Sequence, residues 1–219
     1  MKERYFSPGR AREQALELFP GEGRYAGRGP AFDPGGSALL VLDMQSWFLS
    51  PASRAFVPGA PAVLPVIVSL ARRFREASRP VIATRHVNTP DEAGMMGSWW
   101  GAMIDPDGEE ARLAGEIEAA ADLVLDKRRY DAFMGTSLEE ILRERDVKQV
   151  AVTGVMTHLC VETTARSAFM RDFAVFVPAD ATATYDRELH GASLRALSHG
   201  FASITSALDL EEALKKGKR

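Results

Sequence analysis

The sequence predicts a three-layer α/β/α domain built on a mostly parallel, Rossmann-like sheet, and three observations carry that prediction. Short apolar segments recur along the chain and are apolar throughout rather than at alternate positions, as expected of strands buried on both faces. Segments of helical periodicity separate them. Several of the apolar runs end in a residue that can do chemistry, which is where open α/β sheets place their ligands.

The chain of 219 residues is long enough for one large domain with an extension. A hydrophobic fraction of 46% and a charged fraction of 26% are ordinary for a soluble globular protein. The formal net charge of -3 gives no electrostatic footprint for nucleic acid. No apolar run approaches the ~20 residues of a membrane helix, so no membrane partner is expected. The first residues carry no apolar stretch of secretory type. A single cysteine excludes an internal disulfide and fits a reducing, cytoplasmic setting.

Taken in order, residues 1–36 are rich in Gly, Pro and Arg and read as an extension with one short helix at 10–18. It is expected to pack against the body, residues 37–219, or against a neighbouring subunit. Gly21, Gly23 and Gly27 have the wrong spacing for a dinucleotide loop and follow no strand. Residues 37–43 form a strand ending in Asp43, and 61–78 a helix with Val63, Val66, Ile67 and Leu70 inward. Residues 80–86 form a second strand ending in Arg85 and His86. The irregular stretch 89–106 carries Met95, Met96, Trp99, Trp100 and Met103. So apolar a loop is expected to cover a pocket or a partner subunit.

Residues 109–121 read as a helix and 123–125 as a strand running into Asp126 and Lys127. The next helix starts at Ser137, with Glu139 and Glu140 early and Arg143 and Arg145 late, an order that suits the helix dipole. Residues 149–154 form a strand that Gly154 breaks. A turn at 155–159 offers Thr157 as a helix N-cap, and Val161, Ala165, Ala168 and Phe169 then share one helical face. A strand at 174–177, a helix at 187–198, a strand at 202–205 and a helix at 208–216 complete the pattern.

The strand ends bring together Asp43 with Gln45, Arg85 with His86, Asp126 with Lys127, and the turn leading to Cys160. Singly, each has a plain reading: a lone cysteine is usually a small buried hydrophobe, Asp43 could cap a turn, and Lys127 could be solvated. Three such residues at equivalent strand ends point instead to one site. A carboxylate can take the thiol proton, and an ammonium lowers the thiol pKa. N–H groups at the helix start favour a thiolate and could hold an oxyanion.

Three segments resemble the isochorismatase-like superfamily of cysteine hydrolases, which includes nicotinamidase and N-carbamoylsarcosine amidase. They are 40–45 (Leu-Val-Leu-Asp-Met-Gln), 127–133 (Lys-Arg-Arg-Tyr-Asp-Ala-Phe) with Thr136 and Leu138, and 154–165 (Gly-Val-Met-Thr-His-Leu-Cys-Val-Glu-Thr-Thr-Ala) with 169–172. The resemblance runs from about Ser37 to Leu208. It implies a six-stranded sheet, a catalytic Asp43–Lys127–Cys160 triad, and a cis peptide between Val155 and Met156. It also implies an oxyanion hole from the Met156 and Cys160 N–H groups, and a homo-oligomer, dimer or tetramer. Phe48, Trp100, Tyr130 and Phe133 are the implied pocket candidates, joined by Gln45, Arg85 and Thr157. Arg85 and Arg129 could pair with a substrate carboxylate.

Two departures shape the functional expectation. The Asp-x-His metal ligands usual in nicotinamidases are missing, since no Asp or His occurs between Met44 and Arg79. His86 alone matches a further ligand, so no metal and no other cofactor is expected. The extension and the Trp99–Trp100 loop look more like isochorismatases proper, which cleave a vinyl ether with the Asp as acid and typically lack the Cys. Cys160 is retained here. The expectation is therefore hydrolysis of a C–N bond, amide or ureide, in a small molecule. Vinyl-ether cleavage with Asp43 as acid, or a non-catalytic binding module, are the alternatives.

Overall fold

The computed structural model describes residues 2–19 and 29–217; Gly21, Gly23 and Gly27 lie outside them. Helix α1 (Ala11–Leu18) precedes β1 (Ser37–Leu42), whose six residues are all buried. Then follow α2 (Ser46–Leu49), α3 (Ala60–Glu76), β2 (Val81–His86), α4 (Met95–Trp100), α5 (Gly115–Ala120) and β3 (Leu123–Lys127). The second half contains α6 (Leu138–Glu144), β4 (Gln149–Val155), a π-turn (Thr157–Val161) continuing into α7 (Glu162–Phe169), and β5 (Ala174–Pro178). The two-residue β6 (Thr182–Ala183), α8 (Arg187–Gly200), β7 (Ser203–Thr205) and α9 (Ala207–Lys216) close the chain.

Six strands lie in the order β3-β2-β1-β4-β5-β7, and β6 pairs with the end of β4. Every strand pairing is parallel. From β1 the chain steps outward through β2 to β3, then returns to place β4 on the other side of β1. Right-handed crossovers therefore put α3 and α5 on one face of the sheet and α7 and α8 on the other. Helix α3 packs with α5 and α9, and α7 packs with α8, as that rule requires. The reversal of direction between β1 and β4 is the point where an α/β sheet opens a crevice at its carboxyl edge.

The core forms from the residues that the apolar runs predict, with Leu39, Leu40 and Leu42 of β1 and Val63, Ile67, Leu70 and Phe74 of α3 fully buried. Of the two packings expected for the extension, the described part packs on the body. Tyr5 and Phe6 are buried against the His190 ring, and α1 packs on residues 179–181.

The structure differs from the sequence reading in several places. The expected helix 109–121 is a turn at Glu109–Ala111 and a separate α5. Between them Leu113 bridges Gln45, and the Ala114 N–H donates to the Met44 carbonyl, so backbone bonding to β1's exit outweighs helical propensity. The irregular stretch 89–106 contains α4. Strand β3 continues through Asp126 to Lys127, and α6 starts at Leu138 rather than Ser137. Thr157 caps no helix; its side chain turns to His190.

Gly154 sits at φ 102° where β4 passes β1. A Cβ there would overlap the Leu42 carbonyl oxygen and lie 2.7 Å from the Leu42 nitrogen, both backbone atoms that have little room to yield. Gly154→Ala is therefore expected to destabilise the fold by about 3 kcal/mol or more, read as a lowered chemical-denaturation midpoint. A shift under about 1 kcal/mol would show that the two strands can part.

Candidate active site

The register of the central strands assembles the site. Leu42 pairs with Thr84 on one side and with Gly154 on the other, and His86 pairs with Lys127. Asp43, one step past Leu42, turns into the crevice at φ 55°, and its N–H donates to the Thr84 carbonyl. The Thr84 hydroxyl donates to Asp43 Oδ1 at 2.7 Å. The other oxygen, Oδ2, lies 2.8 Å from Lys127 Nζ but accepts no aligned hydrogen bond, so it keeps capacity to take a proton. Both side chains are fully buried.

The Lys127 ammonium also donates to the Arg129 carbonyl at 3.0 Å and to Cys160 Sγ at 3.3 Å, and it lies 3.3 Å from His86 Nδ1. Burial works to discharge it, but the Asp43 carboxylate and the Cys160 sulfur outweigh burial and hold its pKa above the ordinary lysine value. His86 is pushed down to about 4, first by burial and then by the neighbouring ammonium, so the ring is neutral at pH 7. Gln45 locks that ring's strand in place: Oε1 accepts from the His86 N–H at 2.8 Å, and Nε2 donates to the carbonyls of His86 and Ala111.

Cys160 is the fourth residue of the π-turn and is buried. Burial pushes its thiol up to about 12, with Lys127 pulling the other way and Asp43 adding to the rise. The lowering expected from the neighbouring ammonium is present but is outweighed by burial. Carboxylate plus ammonium already sum to zero charge, and a third, negative group would leave a buried net charge. Passing the thiol proton to Asp43 keeps the sum at zero.

A ligand atom from each of Asp43, His86 and Cys160 lies within 4.8 Å of the others, a spacing that could suit a metal ion. The Lys127 ammonium lies within 3.3 Å of an atom of each. The chain supplies its own cation there, and a metal does not fit without displacing it.

Cys160 opens onto a cavity of about 210 Å³. Of the pocket candidates, Phe48, Trp100 and Tyr130 line it, Met156 lines it too, and the Trp100 indole donates to the Tyr130 hydroxyl at 2.7 Å. Five other candidates lie elsewhere. Gln45 is fully buried and committed to backbone. Arg85 points off the opposite side of β2 and makes a two-pronged pair with Asp126 at 2.7 and 2.8 Å. Phe133 stacks on Phe173, and Thr157 is held by His190. Arg129 donates to the Glu92 and Arg128 carbonyls. The Val155–Met156 peptide is cis. Arg54, Asn88 and Tyr185 line the cavity without having been anticipated, because they sit in turns with no periodic signal.

A parallel α/β sheet with a thiol, an ammonium and a carboxylate buried in contact at its carboxyl edge defines a hydrolase of the cysteine-bearing α/β class. A family model described as the Isochorismatase domain matches residues 37–209, and the chain belongs to that family. It is 40% identical over 183 residues to Nicotinamidase 3 of Arabidopsis thaliana, covering 81% of this chain and 88% of that protein. It is 32% identical over 210 residues to the ureidoacrylate amidohydrolase RutB of Methylobacterium radiotolerans, covering 84% and 81%. A crystal structure of a cysteine hydrolase from Pseudomonas syringae pv. phaseolicola superposes with a TM-score of 0.82 at 25% identity, covering 87% of this chain and 97% of that one.

Two pH responses follow from these shifts. Because the resting thiol is raised, alkylation of Cys160 by iodoacetamide is expected to climb about tenfold per pH unit from pH 7 to 10; a plateau below pH 9 would mean a resting thiolate. His86 and His190, the latter pushed down to about 3 by burial, both stay neutral when folded, whereas the unfolded chain protonates them near 6.5. Stability is thus complete above about pH 6.5 and is lost as pH falls toward 4, by on the order of 3 kcal/mol for each ring. His190→Gln should flatten that slope in pH-dependent denaturation, and an unchanged slope would remove His190 as its source.

Proposed function

We propose that this isochorismatase-family hydrolase cleaves the C–N bond of a small amide or ureide through Cys160, Asp43 and Lys127. The observation that carries the reading is one ammonium touching both the thiol sulfur and the carboxylate, at 3.3 and 2.8 Å, with the cysteine lining the cavity. Asp43 takes the Cys160 proton as the sulfur attacks the substrate carbonyl, and the N–H groups of Met156 and Cys160 receive the oxyanion. When the tetrahedral adduct collapses, Asp43 passes the proton to the departing nitrogen, and ammonia or an amine leaves. Asp43 then takes a proton from water, whose oxygen attacks the thioester, and the proton returns to sulfur as the acid product departs. Lys127 stays charged throughout and keeps the carboxylate and the transient thiolate from repelling each other.

Size supports a small substrate. A cavity of about 150 Å³ holds a benzene ring, so 210 Å³ takes a single ring or short chain with one substituent. The similarity to an amidohydrolase and to a nicotinamidase supports the same bond type.

The test is a panel of small primary amides and ureides, followed by variants on any that turn over. Cys160→Ala is expected to lower kcat by about 10³-fold or more, and Asp43→Asn by about 10²-fold or more. Full turnover by Asp43→Asn would rule out the scheme. A silent Cys160→Ala beside an inactive Asp43→Ala would move the assignment to vinyl-ether cleavage with Asp43 as acid.

A further inference from the structure

Arg54 is the one Lys, Arg, Asp or Glu side chain lining the cavity, and among the described residues no carboxylate pairs with it. Its guanidinium makes a single long contact, Nη2 to the Trp100 carbonyl at 3.5 Å, which leaves most of its donors open. By contrast, the arginines at the ends of β2 and β3 are committed: Arg85 to Asp126, Arg128 to Glu92, Arg129 to two carbonyls. Arg54 is exposed, and an exposed arginine is ordinarily just solvated. This one is held from behind.

The holding is done by residues 2–5. Lys2 Nζ donates to the Arg54 carbonyl at 2.6 Å and sits 4.6 Å above the ring of Tyr185, which also lines the cavity. The Glu3 N–H donates to the Tyr185 carbonyl at 2.7 Å, and the Glu3 carboxylate pairs with Arg187 at 2.8 Å. The Thr184 N–H donates to the buried Tyr5 hydroxyl at 2.8 Å. The segment thus holds two walls of the cavity, residue 54 on one side and 184–187 on the other. It brings a second cation, Lys2, that also lacks a carboxylate partner among the described residues. Residues 2–5 lie outside residues 37–209, the part matched by the family model, whereas the walls they hold lie within it.

We propose that Lys2 and Arg54 form a cationic rim that selects small anionic substrates, so that residues 2–5 complete the binding site from outside the family domain. The ligand class is a compact monoanion, a carboxylate by preference because its two oxygens match the open guanidinium edge. The claim about the rim concerns access of charge to the cavity; its application to substrate rests on the amide or ureide reading above.

Cys160 provides a probe that needs no turnover. Iodoacetate and iodoacetamide both transfer a two-carbon group to the sulfur with loss of iodide, and they differ chiefly in charge. The ratio of their rates, read by intact mass on the full chain, reports the field along the path to the sulfur. Arg54→Gln and Lys2→Met are each expected to lower the iodoacetate-to-iodoacetamide ratio by about threefold or more at low salt, with the effect shrinking as salt rises. Arg54→Lys should restore most of it. Arg128→Gln, a cation outside the cavity, should leave it unchanged. Loosening of the fold would speed both reagents alike and leave the ratio standing, so an unaltered ratio in Arg54→Gln overturns the proposal.

The substrate arm compares succinamate and glutaramate with their neutral diamides. Arg54→Gln is expected to raise KM for the acids about tenfold while kcat and the diamides change little. Equal losses on acids and diamides would overturn the substrate claim. No turnover of either set would count against the amide reading, while the alkylation ratio would still decide the rim.

Discussion

A carboxylate and an ammonium, both wholly removed from water, face each other 2.8 Å apart at the carboxyl edge of the sheet. Dehydrating each ion costs several kcal/mol, and attraction offsets that only when the remaining donors and acceptors are also met. Much of the surrounding structure answers this requirement. The Thr84 hydroxyl serves one Asp43 oxygen, and the Arg129 carbonyl, the neutral His86 ring and the Cys160 sulfur surround the ammonium. Gln45 ties the end of β1 to the end of β2, which carries His86. Removing either ion would leave the other buried and uncompensated, so the pair and the sheet edge stand or fall together.

The pair also explains why a raised thiol pKa is compatible with a nucleophilic role. A thiolate formed by losing its proton to solvent would add net charge to a dry site. A thiolate formed by handing the proton to Asp43 does not. In the proposed mechanism the cluster is a closed unit within which one proton moves, and the apolar walls of the cavity, Phe48, Trp100 and Tyr130 among them, limit water there.

The parts of this design that were legible in the sequence are those governed by periodicity. Runs such as 37–43 and 149–154 read as strands buried on both faces, and parallel strands with right-handed crossovers leave little choice in how their ends align. Asp43, Lys127 and Cys160 follow from that geometry. Gln45, Arg85 and Phe133 illustrate the limit. Each lies next to a site residue in the chain, but alternation along a strand sends Arg85 to the opposite side of β2 from His86. Local bonding turns Gln45 toward backbone, and packing pairs Phe133 with Phe173. The turns that supply Arg54, Asn88 and Tyr185 have no period to read, and contacts across more than a hundred residues, such as Tyr5 with Thr184, leave no trace in either local sequence.

The protonated state of Cys160 has a bearing on how this protein ages. Peroxides attack thiolates, and nucleophilic cysteines with depressed pKa are the ones most readily carried to sulfenic and higher acids. Here the only sulfhydryl of the chain is buried, and burial raises its pKa, so little of it is thiolate near neutral pH. A small thiolate fraction at rest slows attack by oxidants of the kind that would end the working life of a more acidic thiol.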